Sequence, residues 1–390
     1  MNRLRFLTAG ESHGKGLTVI IEGIPAGLPL DEEYIASDMR RRQRGYGRGS
    51  RMKIEQDGAE ILSGVRHGIT IGSPITLLIW NRDWENWKEV MSVTPLEEEV
   101  QLLTRPRPGH ADLAGVTKYS LDDIRPILER ASARETAARV AVGAVARRFV
   151  EHFGIKLYSH TIAIGGKWAS LIEPIDWQKV EKSPVRCADA DAEKAMMATI
   201  DEAIANGDTV GGVFEVIATG VPIGLGSHIQ WDRRLDGVIA QAIMSIPSVK
   251  GVDIGDGFRL ASLKGSQAHD IIEIVEKARY PWEHATNRAG GIEGGITNGE
   301  PIVVRAVAKP IPTLGKPLKS IDIATGEVVQ AHFERSDICI VPAAGIIAEG
   351  MLAIVIADAI LEKFAGDNIK ETSRNYNSYI SSITSKGLDE

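Results

Sequence analysis

The densest chemistry in the chain lies in Arg40-Arg41-Arg42-Gln43-Arg44-Gly45-Tyr46-Gly47-Arg48-Gly49-Ser50-Arg51, where six arginines interleave with three glycines. Guanidinium forks match phosphate and carboxylate oxygens in pairs, and glycine lets backbone N–H groups approach an anion. The segment asks for a ligand with several negative charges; the plainer alternative is a solvated basic end to the helix-like run that starts at Glu32. Two histidines occupy similar glycine-flanked turns, Gly10-Glu11-Ser12-His13-Gly14 and Arg105-Pro106-Arg107-Pro108-Gly109-His110-Ala111-Asp112. Beside arginines such a histidine can donate a proton when it is held as imidazolium. Taken alone, each also fits a simple bond to the turn backbone. His67, His152 and His160 lack this context and read as structural.

Three further segments could present groups to an anion. Arg130-Ala131-Ser132-Ala133-Arg134-Glu135-Thr136 falls early in an Ala-rich helical run, where N–H groups and the helix dipole attract negative charge, although Ser132 also suits a plain N-cap. Arg335-Ser336-Asp337 precedes a second apolar run, with Asp337 either a near-site carboxylate or an ion-pair partner of Arg335. In Lys309-Pro310-Ile311-Pro312-Thr313 the prolines fix the backbone direction, so they either present Lys309 and Thr313 rigidly or serve an ordinary loop.

The elements that must carry these groups are strands and long helices. Leu17–Ile21 and Ile302–Val304 are β-branched runs ended by Gly or Pro. One helix is expected from Ile124 or Ala131 to Phe149 and another, apolar on most sides, from Ala343 to Phe364. Motifs of the first half recur in order in the second. Gly23-Ile24-Pro25-Ala26-Gly27-Leu28 pairs with Gly220-Val221-Pro222-Ile223-Gly224-Leu225, and Asp57-Gly58 with Asp256-Gly257. Likewise Gly68-Ile69-Thr70 pairs with Gly295-Ile296-Thr297, and Glu129-Arg130-Ala131-Ser132 with Glu334-Arg335-Ser336. These matches predict two sheet-plus-helix halves, about 16–150 and 210–365, related by a pseudo-twofold within one domain spanning 1–365. A polar C-terminal tail is expected over 366–390, and no stretch is read as approaching a membrane span.

Composition excludes several functions. With 43% hydrophobic and 25% charged residues the chain is globular rather than disordered. Its net charge of -7 repels polyanions, which disfavours a nucleic-acid binder or an RGG-like reading of the arginine segment. Cys187 and Cys339 lie far apart without ligand spacing, so neither a disulfide framework nor a metal is indicated and a reducing cytoplasm is expected. No Walker A loop, strand-linked G-x-G-x-x-G, H-E-x-x-H or G-x-S-x-G is present. The residues by themselves lead to an anion-binding α+β enzyme with two candidate acid-base histidines.

The two histidine turns, the segment from Arg42 to Arg51, Arg130–Thr136, Gly290-Gly291-Ile292-Glu293-Gly294-Gly295, Lys309–Thr313, Arg335-Ser336-Asp337 and Pro342-Ala343-Ala344 together resemble the chorismate synthase family. The resemblance covers essentially residues 1–365. It implies a β-α-β sandwich with long helices between two antiparallel sheets, and a homotetramer. It implies the anti-1,4-elimination of phosphate from 5-enolpyruvylshikimate-3-phosphate with reduced FMN and no net oxidation. By resemblance His13 assists the leaving phosphate, His110 protonates the reduced flavin near its N1–O2 edge, and Asp337 acts through flavin N5 in removing the C6 proton. Arg42, Arg48, Arg51, Arg107, Arg134 and Arg335 would bind the phosphate and the two carboxylates of the substrate. Flavin contacts are implied for Arg130, Ala131, Ser132, Pro247, Ser248, Gly294, Lys309, Pro310, Ile311, Pro312, Thr313 and Arg335. Arg42 and Arg48 also fall where members with their own flavin reductase activity bind NADPH; with no extra domain visible, a monofunctional enzyme supplied with reduced FMN is expected. Neither nucleic acid nor membrane is an implied partner. The stretch Trp80-Asn81-Arg82-Asp83-Trp84-Glu85-Asn86-Trp87 reads as a cover, an oligomer contact or simple packing.

Replacing Arg48 with Ala removes a charged anion contact and should weaken substrate binding by about 1.5 to 3 kcal/mol. Folding should survive. Titrations of wild type and variant at one salt concentration test this, and equal affinities would place Arg48 outside the site.

Overall fold

Burial alternates along the strands, as in Gly16–Glu22, which buries Leu17, Val19 and Ile21 and exposes Thr18 and Ile20 between them. The structure, a computed structural model, describes residues 3–49, 57–97, 101–170, 173–275 and 279–384. One sheet contains β1 (Arg5–Ala9), β2 (Gly16–Glu22), β3 (Glu60–Ser63) and β4 (Ile75–Trp80) in the order β1-β2-β4-β3. The other contains β5 (Lys156–Ile164), β6 (Lys167–Trp168), β7 (Gly212–Thr219), β8 (Val249–Ile254) and β9 (Ile302–Ala308) in the order β8-β9-β7-β5-β6. Neighbouring strands are antiparallel throughout both sheets.

The helices that position the site are α1 (Glu32–Gln43), α2 (Asp112–Tyr119), α3 (Arg125–Arg130), α4 (Thr136–Glu151), α5 (Leu235–Met244) and α6 (Val341–Phe364), and α7 (Ile369–Thr384) follows them away from it. Helix α4 packs against the first sheet and against α6, while α6 packs on β5 and β7 of the second, giving the expected β-α-β layering. Because α6 meets protein on nearly every side, it is apolar nearly all round. It is long and apolar enough to cross a membrane, contrary to the expectation from sequence, and it lies buried inside the protein as a core helix.

Two sequence expectations are revised along the chain. The helix expected from Ile124 or Ala131 to Phe149 is broken after Arg130. Ser132 is extended (φ -64°, ψ 146°) and its Oγ accepts from the Arg134 N–H, so a single 3-10 turn separates α3 from α4. The C-terminal tail is also replaced, over Ile369–Thr384, by a helix that buries Ile369, Thr372 and Tyr376. Tyr376 lies against Phe153 and Phe364; polar composition concealed a narrow apolar stripe.

The two halves repeat in bonding as well as in sequence. Thr70 Oγ1 donates to the Pro25 carbonyl (2.7 Å) and accepts from the Leu28 N–H (2.9 Å). Thr297 Oγ1 does the same with Pro222 (2.7 Å) and Leu225 (2.8 Å). Strand order corresponds too, β1-β2-β4-β3 against β5-β7-β9-β8. The pairing of Asp57-Gly58 with Asp256-Gly257 does not survive: the first precedes β3, whereas the second follows β8, its counterpart in sheet order.

Helices α4 and α6 cross where Gly143 meets Gly350. A Cβ on Gly143 would stand 2.3 Å from the Gly350 Cα, whereas one on Gly350 would stand 3.3 Å from the Gly143 Cα. Gly143→Ala should therefore destabilise the protein by about 1 to 3 kcal/mol through overpacking. Gly350→Ala, where a helix-propensity gain of about 1 kcal/mol offsets a milder contact, should stay within about 1 kcal/mol of wild type. Urea unfolding of the two variants measures the contrast.

Candidate active site

The break between α3 and α4 and the start of α6 open onto one cavity of about 540 Å³. Among the described residues lining it are eight arginines and lysines and three carboxylates, a cationic pocket within an acidic protein. The turn of His13 and the turn of His110 both reach it.

His13 Nδ1 lies 2.9 Å from both oxygens of Glu129, whose side chain is fully buried, and the His13 N–H donates to Glu129 Oε2 at 2.8 Å. The Trp87 indole stacks on the imidazole with centroids 3.7 Å apart, and the Arg125 guanidinium sits 5.3 Å from the indole centre. The tryptophan stretch thus acts through Trp87 as packing behind a site residue. Arg125 also pairs with Glu129 (3.2 Å) and Glu334 (3.0 Å). Burial works to raise Glu334, but its hydrogen bond with His332 and the charges of Arg125, His332 and His13 outweigh it and hold the carboxyl at about 2.

His110 follows Gly109, whose φ of +82° favours glycine, and its Nδ1 is held by Asp112 Oδ1. Asp112 also accepts from the Arg107 Nε at 2.9 Å, and Arg107 Nη1 donates to Thr313 Oγ1 at 2.9 Å. Burial opposes ionisation of Asp112, yet its bonds to His110 and Arg107 hold it well below the usual carboxylate range. Lys309 Nζ donates to the Gly109 carbonyl. Its own pKa is lowered by burial and by the charge of Lys250.

The arginine segment divides. Arg42 is buried, with Nε on Thr136 Oγ1 (3.0 Å) and Nη2 on the Ala133 carbonyl (3.0 Å). Asp57 lies between Arg42 (3.4 Å) and Arg134 (2.5 Å). Arg48 pairs with Asp337 at 3.1 Å, so the partner of Asp337 is Arg48 where the sequence suggested Arg335. The Gly49 N–H reaches a carboxylate of the protein itself, donating to Asp337 Oδ1 at 2.6 Å. Arg51 lies outside the described residues.

Ala131, Ser132, Pro247, Ser248, Ile311, Pro312 and Arg335 also line the cavity, as does Arg130, which donates to the Thr8 and Gly10 carbonyls. Pro310 is not among the lining residues. Gly294 is likewise not among the lining residues; its hairpin meets the N-terminus of α5 through the Gly295 carbonyl and the Leu235 N–H. Sequence reasoning named Glu129, Glu334 and Asp57 only within the repeated motifs and gave them no partners, and it left the role of Trp87 open. Glu129 stands 116 positions from His13, and no local spacing links the two.

The profile of the chorismate synthase family matches residues 4–361. The chain belongs to this family. It is 56% identical over 386 residues to a chorismate synthase of Moorella thermoacetica, covering 97% of this chain and 100% of that one. A chorismate synthase of Aquifex aeolicus is 56% identical over 394 residues, covering 98% of each chain. The counterpart in Streptomyces avermitilis is 52% identical over 395 residues, covering 98% and 99%. A crystal structure of a chorismate synthase aligns over 98% of each chain with a TM-score of 0.80 at 47% identity. With the family comes the reaction: a carbon–oxygen lyase step in the shikimate pathway to aromatic amino acids, in which 5-enolpyruvylshikimate-3-phosphate loses phosphate and becomes chorismate.

Chorismate synthases require a reduced flavin, and this cavity fits one. Its volume lies within the roughly 300–1,000 Å³ of cofactor sites. Pro247, Ile311, Pro312, Ala343 and Ile347 supply apolar wall for a planar ring, and the cations of the lining suit its phosphate.

Glu334 ties the site to acid stability. Its folded pKa is depressed, so its contribution is complete above the ordinary value of 4.5 and is lost as pH falls through about 2. The contribution at neutral pH is at most about 3 kcal/mol. Unfolding free energies of Glu334→Gln should therefore fall less steeply than those of wild type between pH 4.5 and 2, and parallel curves would refute the assignment.

Proposed function

We propose that this cavity binds reduced FMN and 5-enolpyruvylshikimate-3-phosphate together, with His13 as the acid that assists phosphate departure. What supports this is the presence on one cavity of two histidines whose Nδ1 atoms are each held by a buried carboxylate, which assigns proton exchange to Nε2 in both. A phosphate leaving an allylic carbon gains charge in the transition state, and an imidazolium beside it stabilises that charge. Arg130, Ala131, Ser132, Pro247, Ser248 and the segment Lys309–Thr313 would hold FMN, which when bound would supply reversible one-electron chemistry at the C3–O bond with no net oxidation. His110, which lines the same cavity as Lys309, Ile311, Pro312 and Thr313, would hold a proton at Nε2 for the reduced flavin. Asp337 receives the proton lost from C6 at a carboxylate oxygen.

Arg48, Arg51, Arg107, Arg134 and Arg335 take the phosphate and the carboxylates of the substrate, and Arg42, held by Thr136 and Asp57, adds its charge behind them. Arg48 links binding to chemistry: an anion that draws it from Asp337 frees a carboxylate oxygen of that residue. The enzyme works as a cytoplasmic homotetramer, with NADPH at most an external reductant.

His13→Ala should lower turnover by about 10²- to 10⁴-fold with FMN binding near normal, whereas His110→Ala should disturb flavin as well. Single-turnover formation of chorismate with pre-reduced FMN at saturating substrate, together with FMN dissociation constants, separates the two. A His13 variant at the wild-type rate, or one inactive only through lost flavin, would exclude the leaving-group role.

A further inference from the structure

We propose that Glu129 is a positioning residue for this reaction, holding His13 in the one tautomer and ring plane that let Nε2 give its proton to the departing phosphate. The inference rests on the reading of His13 as leaving-group acid. Three donors converge on the Glu129 carboxylate: the His13 backbone N–H, the His13 Nδ1 and Arg125 Nη1. The Ser12 N–H also donates to the Glu129 carbonyl at 3.2 Å, so both ends of the residue grip the histidine turn. An ionised carboxylate accepts only, so Nδ1 must carry a hydrogen whenever the ring faces it.

The consequence is chemical. An acid at Nε2 cycles between imidazolium and the neutral Nδ1–H tautomer, and both states need an acceptor at Nδ1. The opposite tautomer cannot serve, because giving up Nε2–H from it would leave an imidazolate. Trp87 supplies the second constraint by stacking on the ring face, while its own Nε1 donates to Asp83 Oδ2 at 2.9 Å and Arg125 lies over its indole. Edge and face of the imidazole are thus both held, by two segments far apart in sequence. Among the described residues, the charged groups around the ring include Glu129 and Arg125 on α3 and Glu334, which feels the His13 charge, with His332 beside it.

Glu129→Gln offers a single oxygen to the same three donors. Its NH₂ stands beside Nδ1 in either amide orientation, which favours an unprotonated Nδ1 and the ring proton on Nε2. The test combines solid-state ¹⁵N NMR of histidine-labelled protein, with His13→Asn to assign the signal, and single-turnover kinetics with pre-reduced FMN. Expected in wild type at high pH is a neutral Nδ1–H tautomer for His13; a neutral Nε2–H form there would overturn the proposal without any variant. Expected in Glu129→Gln is the Nε2–H form, with single turnover slowed about 10²- to 10⁴-fold. Substrate and FMN dissociation constants should stay within about threefold, and Glu129→Asp, still acceptor-only, should recover part of the rate. A slow His13→Ala combined with a Glu129→Gln variant near the wild-type rate overturns the role of Glu129 alone. A His13→Ala variant at the wild-type rate overturns the leaving-group reading and this inference with it.

Discussion

Holding eight cationic side chains around one cavity of about 540 Å³ is the constraint on which the rest of the structure depends. Two like charges about 8 Å apart repel by roughly 2 kcal/mol at an effective dielectric near 20, and a cluster multiplies that cost. The protein answers with carboxylates placed at or behind the lining. Asp57 sits between Arg42 and Arg134, Asp112 between Arg107 and His110, Glu129 between His13 and Arg125, and Asp337 beside Arg48. Each pair fixes the direction of a cation as well as offsetting its charge. An acidic chain can in this way present a strongly cationic site without being a general polyanion binder.

The same arrangement explains why the helix into the site is broken. A continuous helix from Ile124 would satisfy its own backbone and turn its side chains outward in rotation. The extended residue Ser132 and the 3-10 turn that follows it instead separate α3, where Glu129 and Arg125 face His13, from α4, where Thr136 receives Arg42. The corresponding turn of the second half, Glu334-Arg335-Ser336, reaches the cavity ahead of α6. The site therefore lies where two similar helix entries meet. Their helices can converge because Gly143 and Gly350 allow backbone to approach backbone at the crossing.

A second charge cluster lies apart from the site and ties the layers together. Glu349 is fully buried in α6 and bonded to Arg41 of α1, to Arg147 of α4 and to Ser159 of β5. Burial opposes its ionisation, but the charges of Arg41 and Arg147 hold it below the usual carboxylate range. Arg41 and Arg42 are adjacent on α1 yet face opposite tasks, one in this cluster and one at the cavity.

The sequence by itself determined the groups capable of chemistry, the two histidine turns and arginine segment, the ordered motif repeats and the β-branched strand runs, because residue type and spacing carry those signals locally. It also carried the resemblance that led to the reaction. Only the tertiary structure decided which partner each group has. Glu129 meets His13 across 116 positions, Arg48 rather than Arg335 meets Asp337, and Trp87 backs an imidazole. Helix α7 and the break at Ser132 were likewise decided by packing, since a polar stretch becomes a helix when one narrow stripe finds a surface to cover. Long-range pairings of charge and shape leave no fixed spacing in the chain, and they exist only once the sheets and helices have brought distant residues within a few ångströms.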